Sequence, residues 1–79
     1  MNNKELGRID LNLLFSLHIL MQEESVSRAA KRLHITQPAM SKTLARLRQL
    51  FDDPLFTRSS HGMKPTPRAL ELAGELGTI

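Results

Sequence analysis

The hydrophobic positions of the chain recur at helical spacing in blocks that polar residues separate. The first block places five apolar residues on one face of a helix: Leu13, Leu14, Leu17, Leu20 and Met21. This spacing predicts a first helix that continues to about Glu24. Asp10 is its expected N-cap, and Ile9 is expected to pack on Leu14.

Two further helices are predicted with only a short break between them. Ser27 is the expected N-cap of a short second helix that ends near Leu33. After a break at residues 34–35, Thr36 is the expected cap of a third helix. Pro38 fits the first turn of that helix, where a missing amide hydrogen costs nothing. This arrangement predicts a helix-turn-helix, a motif whose second helix can enter the major groove of DNA. Helical hairpins of enzymes share the spacing, so the pattern alone leaves DNA binding and an enzymatic role both open.

The third helix has two contrasting faces when its residues are placed at 100° intervals. The face predicted to be buried is apolar: Met40, Leu44, Leu47 and Phe51. The face predicted to be exposed is small, polar or basic: Pro38, Ser41, Lys42, Ala45, Arg46 and Gln49. The second face is therefore the candidate binding surface.

The remaining pattern predicts a small hairpin and a fourth helix. Pro54 is expected to end the third helix, because proline disfavours a helical conformation in the preceding residue. Residues 55–58 and 63–64 are predicted to pair as two strands around a turn that ends at Gly62, which can take a positive φ. Residues 66–67 repeat the combination of a cap and a proline, which predicts a helix start.

Positive charge is concentrated in the middle of the chain. The 79 residues form one small domain with a formal net charge of +3. Between positions 25 and 51 there is no acidic residue and there are six basic ones: Arg28, Lys31, Arg32, Lys42, Arg46 and Arg48. A second stretch without acids, residues 54–70, adds Arg58, Lys64 and Arg68. Such a field attracts polyanions such as nucleic acid backbones, although a solvated helix surface has a similar composition.

Enzymatic and membrane functions find little support in the sequence. There is no cysteine, the three histidines are scattered, and Asp52 and Asp53 form a lone acidic pair beside a proline. We therefore predict no catalytic residue, no metal site and no cofactor. The chain has no apolar run long enough for a signal peptide or a membrane span, so we predict a cytoplasmic protein without a membrane partner.

Two other binding functions are weighed against DNA binding. RNA-binding modules usually present aromatic platforms, whereas this chain has no Tyr, no Trp and three Phe. Phe15, Phe51 and Phe56 all lie in patterns typical of a core. A helix-turn-helix used for protein contact stays an alternative, but it predicts apolar residues on the outward side of the third helix.

Taken together, these residues resemble the N-terminal domain of the LysR-type transcriptional regulators. The matching motifs stand in the family's order at residues 10–14 (DLNLL), 27–30 (SRAA), 33–41 (LHITQPAMS), 44–47 (LARL), 54–58 (PLFTR) and 62–66 (GMKPT). Each motif is weak alone, but their order and spacing make the resemblance specific.

The resemblance implies a mainly α winged helix-turn-helix with a three-helix core, a small two-stranded wing and the start of a C-terminal linker helix. Residues 1–65 would form the DNA-binding domain, and residues 66–79 would begin a linker helix that joins two copies into a homodimer. The expected partner is double-stranded operator DNA. In the family a larger effector-binding domain follows. It is absent from these 79 residues, and a small-molecule effector is expected only there.

The helix faces and the resemblance together give a set of expected DNA contacts. Base reading is expected from the start of the third helix: Gln37, Pro38, Ser41 and Lys42. Contacts with the DNA backbone are expected from Ser27, Arg28, Arg32, Thr36, Arg46, Arg58, Ser59, Ser60 and Lys64. Arg58, just before the wing turn, could enter the minor groove. Ser27 and Thr36 would act both as helix caps and as phosphate donors.

Two positions depart from the family's pattern. Lys42 stands where many members carry arginine, and lysine lacks arginine's planar, two-pronged contact with a guanine edge or a phosphate. Arg48 stands where the family often has glutamate. Its extra positive charge, late in the third helix, is expected to strengthen contact with the DNA backbone.

Overall fold

The computed structural model describes residues 11–75, which form four helices and a two-stranded antiparallel sheet. The elements in chain order are α1 (Leu11–Glu23), α2 (Val26–Leu33), α3 (Gln37–Phe51), β1 (Phe56–Ser59), β2 (Gly62–Pro65) and α4 (Pro67–Glu75). This order confirms the predicted winged helix-turn-helix. The expected cap Asp10 and its neighbour Ile9 lie outside the described residues.

The hydrophobic core lies where α1, α2 and α3 meet and where β1 and α4 close over them. The largest fully buried side chains come from four different segments: Leu17, Ile19, Leu20, Met40, Leu47, Leu55 and Phe56. Ala29 and Ala30 are also buried, and their small side chains let α2 approach its neighbours closely. The three-helix core thus fixes the direction of α3.

The buried side of α1 is wider than its predicted single face. Ile19 and Ser16 are buried in addition to the predicted leucines 13, 17 and 20, because α1 packs against both α2 and α3. Phe15 is 54% exposed, so the prediction that it belongs to the core is wrong. Phe56 is buried and Phe51 packs partly against the core, as predicted.

Two serines compete for the cap of α2, and the prediction chose the wrong one. Ser25 has extended backbone angles, and its Oγ accepts a hydrogen bond from the Arg28 amide at 3.2 Å. Ser27 therefore lies in the first turn of α2 and is not the cap. Thr36 caps α3 as predicted, since its hydroxyl accepts from the Ala39 amide at 3.2 Å.

The carboxylate of Asp53 accepts hydrogen bonds from both ends of the connection between α3 and α4. Asp53 Oδ2 accepts hydrogen bonds from the Leu55 amide and from the Thr66 hydroxyl, each at 2.8 Å. Thr66 in turn caps α4 by accepting from the Ala69 amide at 3.1 Å. Leu55 is buried with a φ of 65°, so β1 begins one residue later than predicted. The end of α3 and the start of α4 are thereby joined.

The wing is a hairpin with a two-residue turn at positions 60–61. Its register pairs Ser59 with Gly62 and Arg58 with Met63. Gly62 has a φ of 129°, and a Cβ added there would lie 2.5 Å from the carbonyl oxygen of Glu24. The next amide, that of Met63, donates to the same oxygen at 3.0 Å. Glycine is required here because β2 lies directly against the turn between α1 and α2.

Candidate DNA interface

The two faces of α3 are separated as the periodicity predicts. Met40, Leu44 and Leu47 are buried. The outward side is exposed along the whole helix: Gln37, Pro38, Ser41, Lys42, Ala45, Arg46 and Gln49. The first turn of α3 contains no acidic residue. The protruding surface is therefore polar and basic, which does not fit the alternative of an apolar protein-docking helix.

An open groove of about 560 Å³ separates the outward side of α3 from the wing. It brings together predicted site residues from three elements: Ser27, Gln37, Ser41, Arg58 and Ser59. None of the residues that line the groove is acidic. The start of α2, the first half of α3 and β1 thus share one electropositive depression.

The other predicted contact residues do not line this groove. Lys42 and Arg46 are exposed on α3, and Ser60 and Lys64 are exposed on the wing. The N-cap Thr36 is also exposed, immediately before Gln37. Arg58 and Lys64 are exposed on neighbouring strands, and Ser59 is half-buried. The basic surface continues from α3 onto the wing.

Two predicted phosphate contacts, Arg28 and Arg32, are engaged with Glu23 at the end of α1. Arg32 Nη1 lies 3.1 Å from Glu23 Oε2 and 2.7 Å from Gln22 Oε1. Arg28 Nη2 donates to the Glu23 carbonyl oxygen at 3.0 Å, and its Nε lies 3.6 Å from Glu23 Oε1. Exposed ion pairs of this kind contribute little, about 0–1 kcal/mol, so both guanidinium groups stay available to an anion. Their role as phosphate contacts stays a prediction.

Comparison with known proteins identifies the architecture. The family described as "Bacterial regulatory helix-turn-helix protein, lysR family" matches residues 11–70. The chain belongs to this lysR family. The match includes all of the helix-turn-helix and the wing, and it ends inside α4.

Solved structures of lysR-type proteins superpose closely on this chain. A probable transcriptional regulator from Pseudomonas aeruginosa is 43% identical with a TM-score of 0.87, and the alignment covers 95% of this chain and 25% of that one. A regulator of the LysR family from Eggerthella lenta is 28% identical with a TM-score of 0.77, covering 87% and 97%. The BenM DNA-binding domain, solved in a complex with catB site 1 DNA, is 26% identical with a TM-score of 0.69, covering 87% and 85%. This chain spans a quarter of the length of the Pseudomonas regulator.

Arg48 of this lysR-family domain has a role that the sequence analysis missed. Its Nε donates to the Pro54 carbonyl oxygen at 2.7 Å, and its Nη2 donates to the Phe56 carbonyl oxygen at 3.2 Å. These hydrogen bonds are made to the protein, but Arg48 is also exposed and lines the groove, so the expected contact with the DNA backbone stays a prediction. No signal in the sequence pointed to the hydrogen bonds, because they depend on the path of the loop after α3.

The described residues contain neither a metal-binding cluster nor a membrane-spanning helix. Between positions 11 and 75, no three His, Asp or Glu side chains converge as a set that could hold a metal ion. Across that range, no helix has both the length and the apolar composition needed to cross a bilayer.

Proposed function

We propose that this chain is the DNA-binding domain of a bacterial transcription regulator and that it binds double-stranded operator DNA. The observation that carries the proposal is the exposed polar and basic side of α3, which shares a groove with Arg58 of the wing. The major groove of B-DNA admits one α-helix, and the narrower minor groove admits an extended arginine. The relative BenM, whose domain was solved on DNA, supports this assignment.

Base reading is proposed for the start of α3. Gln37, Pro38, Ser41 and Lys42 are exposed in its first two turns, which is the part of a recognition helix that reaches base edges. The amide of Gln37 can accept from the N6 amino group of adenine and donate to N7. Lys42 would contact a guanine or a nearby phosphate as a single charged group.

Contacts with the DNA backbone are proposed for residues on α2, on α3 and its N-cap, and on the wing. They are Ser27, Arg28, Arg32, Thr36, Arg46, Arg58, Ser59, Ser60 and Lys64. Such contacts fix the position of a protein on the duplex without reading sequence. Because Ser27 is not the helix cap, its hydroxyl is not needed by an amide of α2 and can donate to a phosphate.

Replacing Gln37 with alanine tests the base-reading role. Without the amide that would bond adenine, the chain is expected to have about 1–3 kcal/mol less discrimination at one or two base positions. Selection from random duplexes, followed by affinity measurements on the selected sites, gives the preference at each position. Gln49→Ala is the matched control, since Gln49 is exposed on α3 twelve residues further along, about 18 Å away at 1.5 Å per residue. An equal loss of affinity on every sequence would contradict base reading by Gln37.

Homodimerisation through α4 is the second part of the proposal. The inner residues of α4, which are Ala69, Leu72 and Ala73, are buried within the domain, whereas Leu70 is 48% exposed on its outer side. Two joined copies would present two recognition helices to half-sites about 34 Å apart or more. Sedimentation at several concentrations should show a dimer that Leu70→Lys weakens. A chain that remains monomeric at the highest concentration would refute dimerisation within these residues.

The proposed role of the 79 residues is binding, with no catalytic group and no cofactor. The proposed location is the cytoplasm, where the DNA of a bacterium is accessible. A small-molecule effector would bind to another part of a longer regulator, in keeping with the much greater length of the Pseudomonas relative.

A further inference from the structure

The hydrogen-bonding direction of the wing turns the carbonyl group of Phe56 away from its partner strand. The Met63 amide donates to Glu24, away from β1, so Met63 and Arg58 form a pair that exchanges no ladder hydrogen bonds. Along an antiparallel ladder, hydrogen-bonded and non-hydrogen-bonded pairs alternate. The pair two residues further along, Phe56 and Pro65, is therefore also non-hydrogen-bonded. The carbonyl oxygen of Phe56 therefore points away from β2.

Arg48 donates a hydrogen bond to this carbonyl group. It extends from the last turn of α3, and its Nε and Nη2 bond the carbonyl oxygens of Pro54 and Phe56 at 2.7 and 3.2 Å. The two strands are thus bonded on both outer edges, β1 to α3 through Arg48 and β2 to the turn after α1 through Glu24. Arg58 lies two residues after Phe56, on the same strand.

We propose that Arg48 is a positioning residue that holds the wing at the distance from α3 at which Arg58 reaches DNA. This inference rests on the proposed function, because it concerns how two DNA-contacting elements are kept in register. Arg48 reads no base itself. It makes the recognition helix and the wing one rigid unit, so that placement of α3 in the major groove also sets the location of Arg58.

A double-mutant cycle on DNA affinity tests the coupling. We expect Arg58→Ala to lower affinity on the order of tenfold at low salt, and to flatten the plot of log affinity against log salt by about 0.9 for each phosphate that is no longer neutralised. In an Arg48→Met background, the same Arg58 change should have less than half of each effect. Equal effects of Arg58→Ala in both backgrounds would overturn the proposal.

A charge-preserving variant separates positioning from a direct phosphate contact. Lysine binds phosphate as a point charge but presents one nitrogen in place of the fork formed by Nε and Nη2. Arg48→Lys should therefore resemble Arg48→Met in its coupling to Arg58. Wild-type affinity and wild-type coupling in Arg48→Lys would instead favour a phosphate contact and contradict positioning. Arg68→Met is the matched control, because Arg68 pairs with Glu71 on α4, away from the groove.

Amide hydrogen exchange without DNA tests the same contact independently of function. Arg48→Met should accelerate exchange at Thr57 and Lys64 by about tenfold while leaving the amides of α1 unchanged. Unchanged amide exchange rates in the wing would refute a role of the Arg48 hydrogen bonds in holding it. If the wild-type chain bound no duplex at any salt concentration, the proposed function would fail, whereas binding without coupling between Arg48 and Arg58 would defeat only this inference.

Discussion

Replacing Gly62 with alanine is expected to lower the free energy of unfolding by about 3 kcal/mol. Two effects add at this position. The φ of 129° is strained for any residue that has a Cβ, and the new Cβ would lie 2.5 Å from the Glu24 carbonyl oxygen. Relief of that collision would move β2 and break the bond from the Met63 amide to the same oxygen. Urea denaturation measures the loss.

Gly74→Ala is the control for this substitution. Gly74 is exposed inside α4 and has no positive φ, so alanine there should stabilise the chain by about 0.5–1 kcal/mol. The two changes add the same methyl group and are expected to have opposite signs. A Gly62→Ala variant as stable as the wild type would mean that the wing does not lie against the turn after α1.

Features set by neighbours along the chain could be predicted from the sequence. The buried and exposed sides of α3 follow from helical periodicity, and Thr36 and Thr66 cap helices that begin with a proline in the first turn. Turn chemistry also showed that Gly62 can take a positive φ. In each case the deciding residues lie within a few positions of one another.

Features set by contacts across the chain could not be predicted in this way. The approach of Glu24 to Gly62 and the bonds from Arg48 to the loop join residues that only the folded path brings together. The pairing of Arg28 and Arg32 with Glu23 was missed because the acid lies at the end of the preceding helix. Local reasoning thus located the candidate site but not the bonds that hold its parts in place.

Serine positions show a second limit of local reasoning. Ser25 and Ser27 are both suitable caps for α2, and their Oγ atoms lie 3.2 Å apart. Which serine becomes the cap depends on where the chain leaves α1. The chain turns at Glu24, which has a φ of 52°. This turn places Ser25 at the cap position and leaves Ser27 on the surface that lines the groove. Of the two roles predicted for Ser27, the cap is therefore wrong, and the contact with a phosphate stays a prediction.

Phe56→Ala is expected to have the largest effect of these single substitutions, about 3–5 kcal/mol lower free energy of unfolding. Phe56 is 1% exposed and anchors β1 in the core, so its removal leaves a cavity and releases the wing that carries Arg58. Phe15→Ala is the matched control, since truncation of the 54% exposed ring of Phe15 should cost under about 1 kcal/mol. Urea denaturation of both variants measures the difference, and equal losses of stability would contradict the placement of these two phenylalanines.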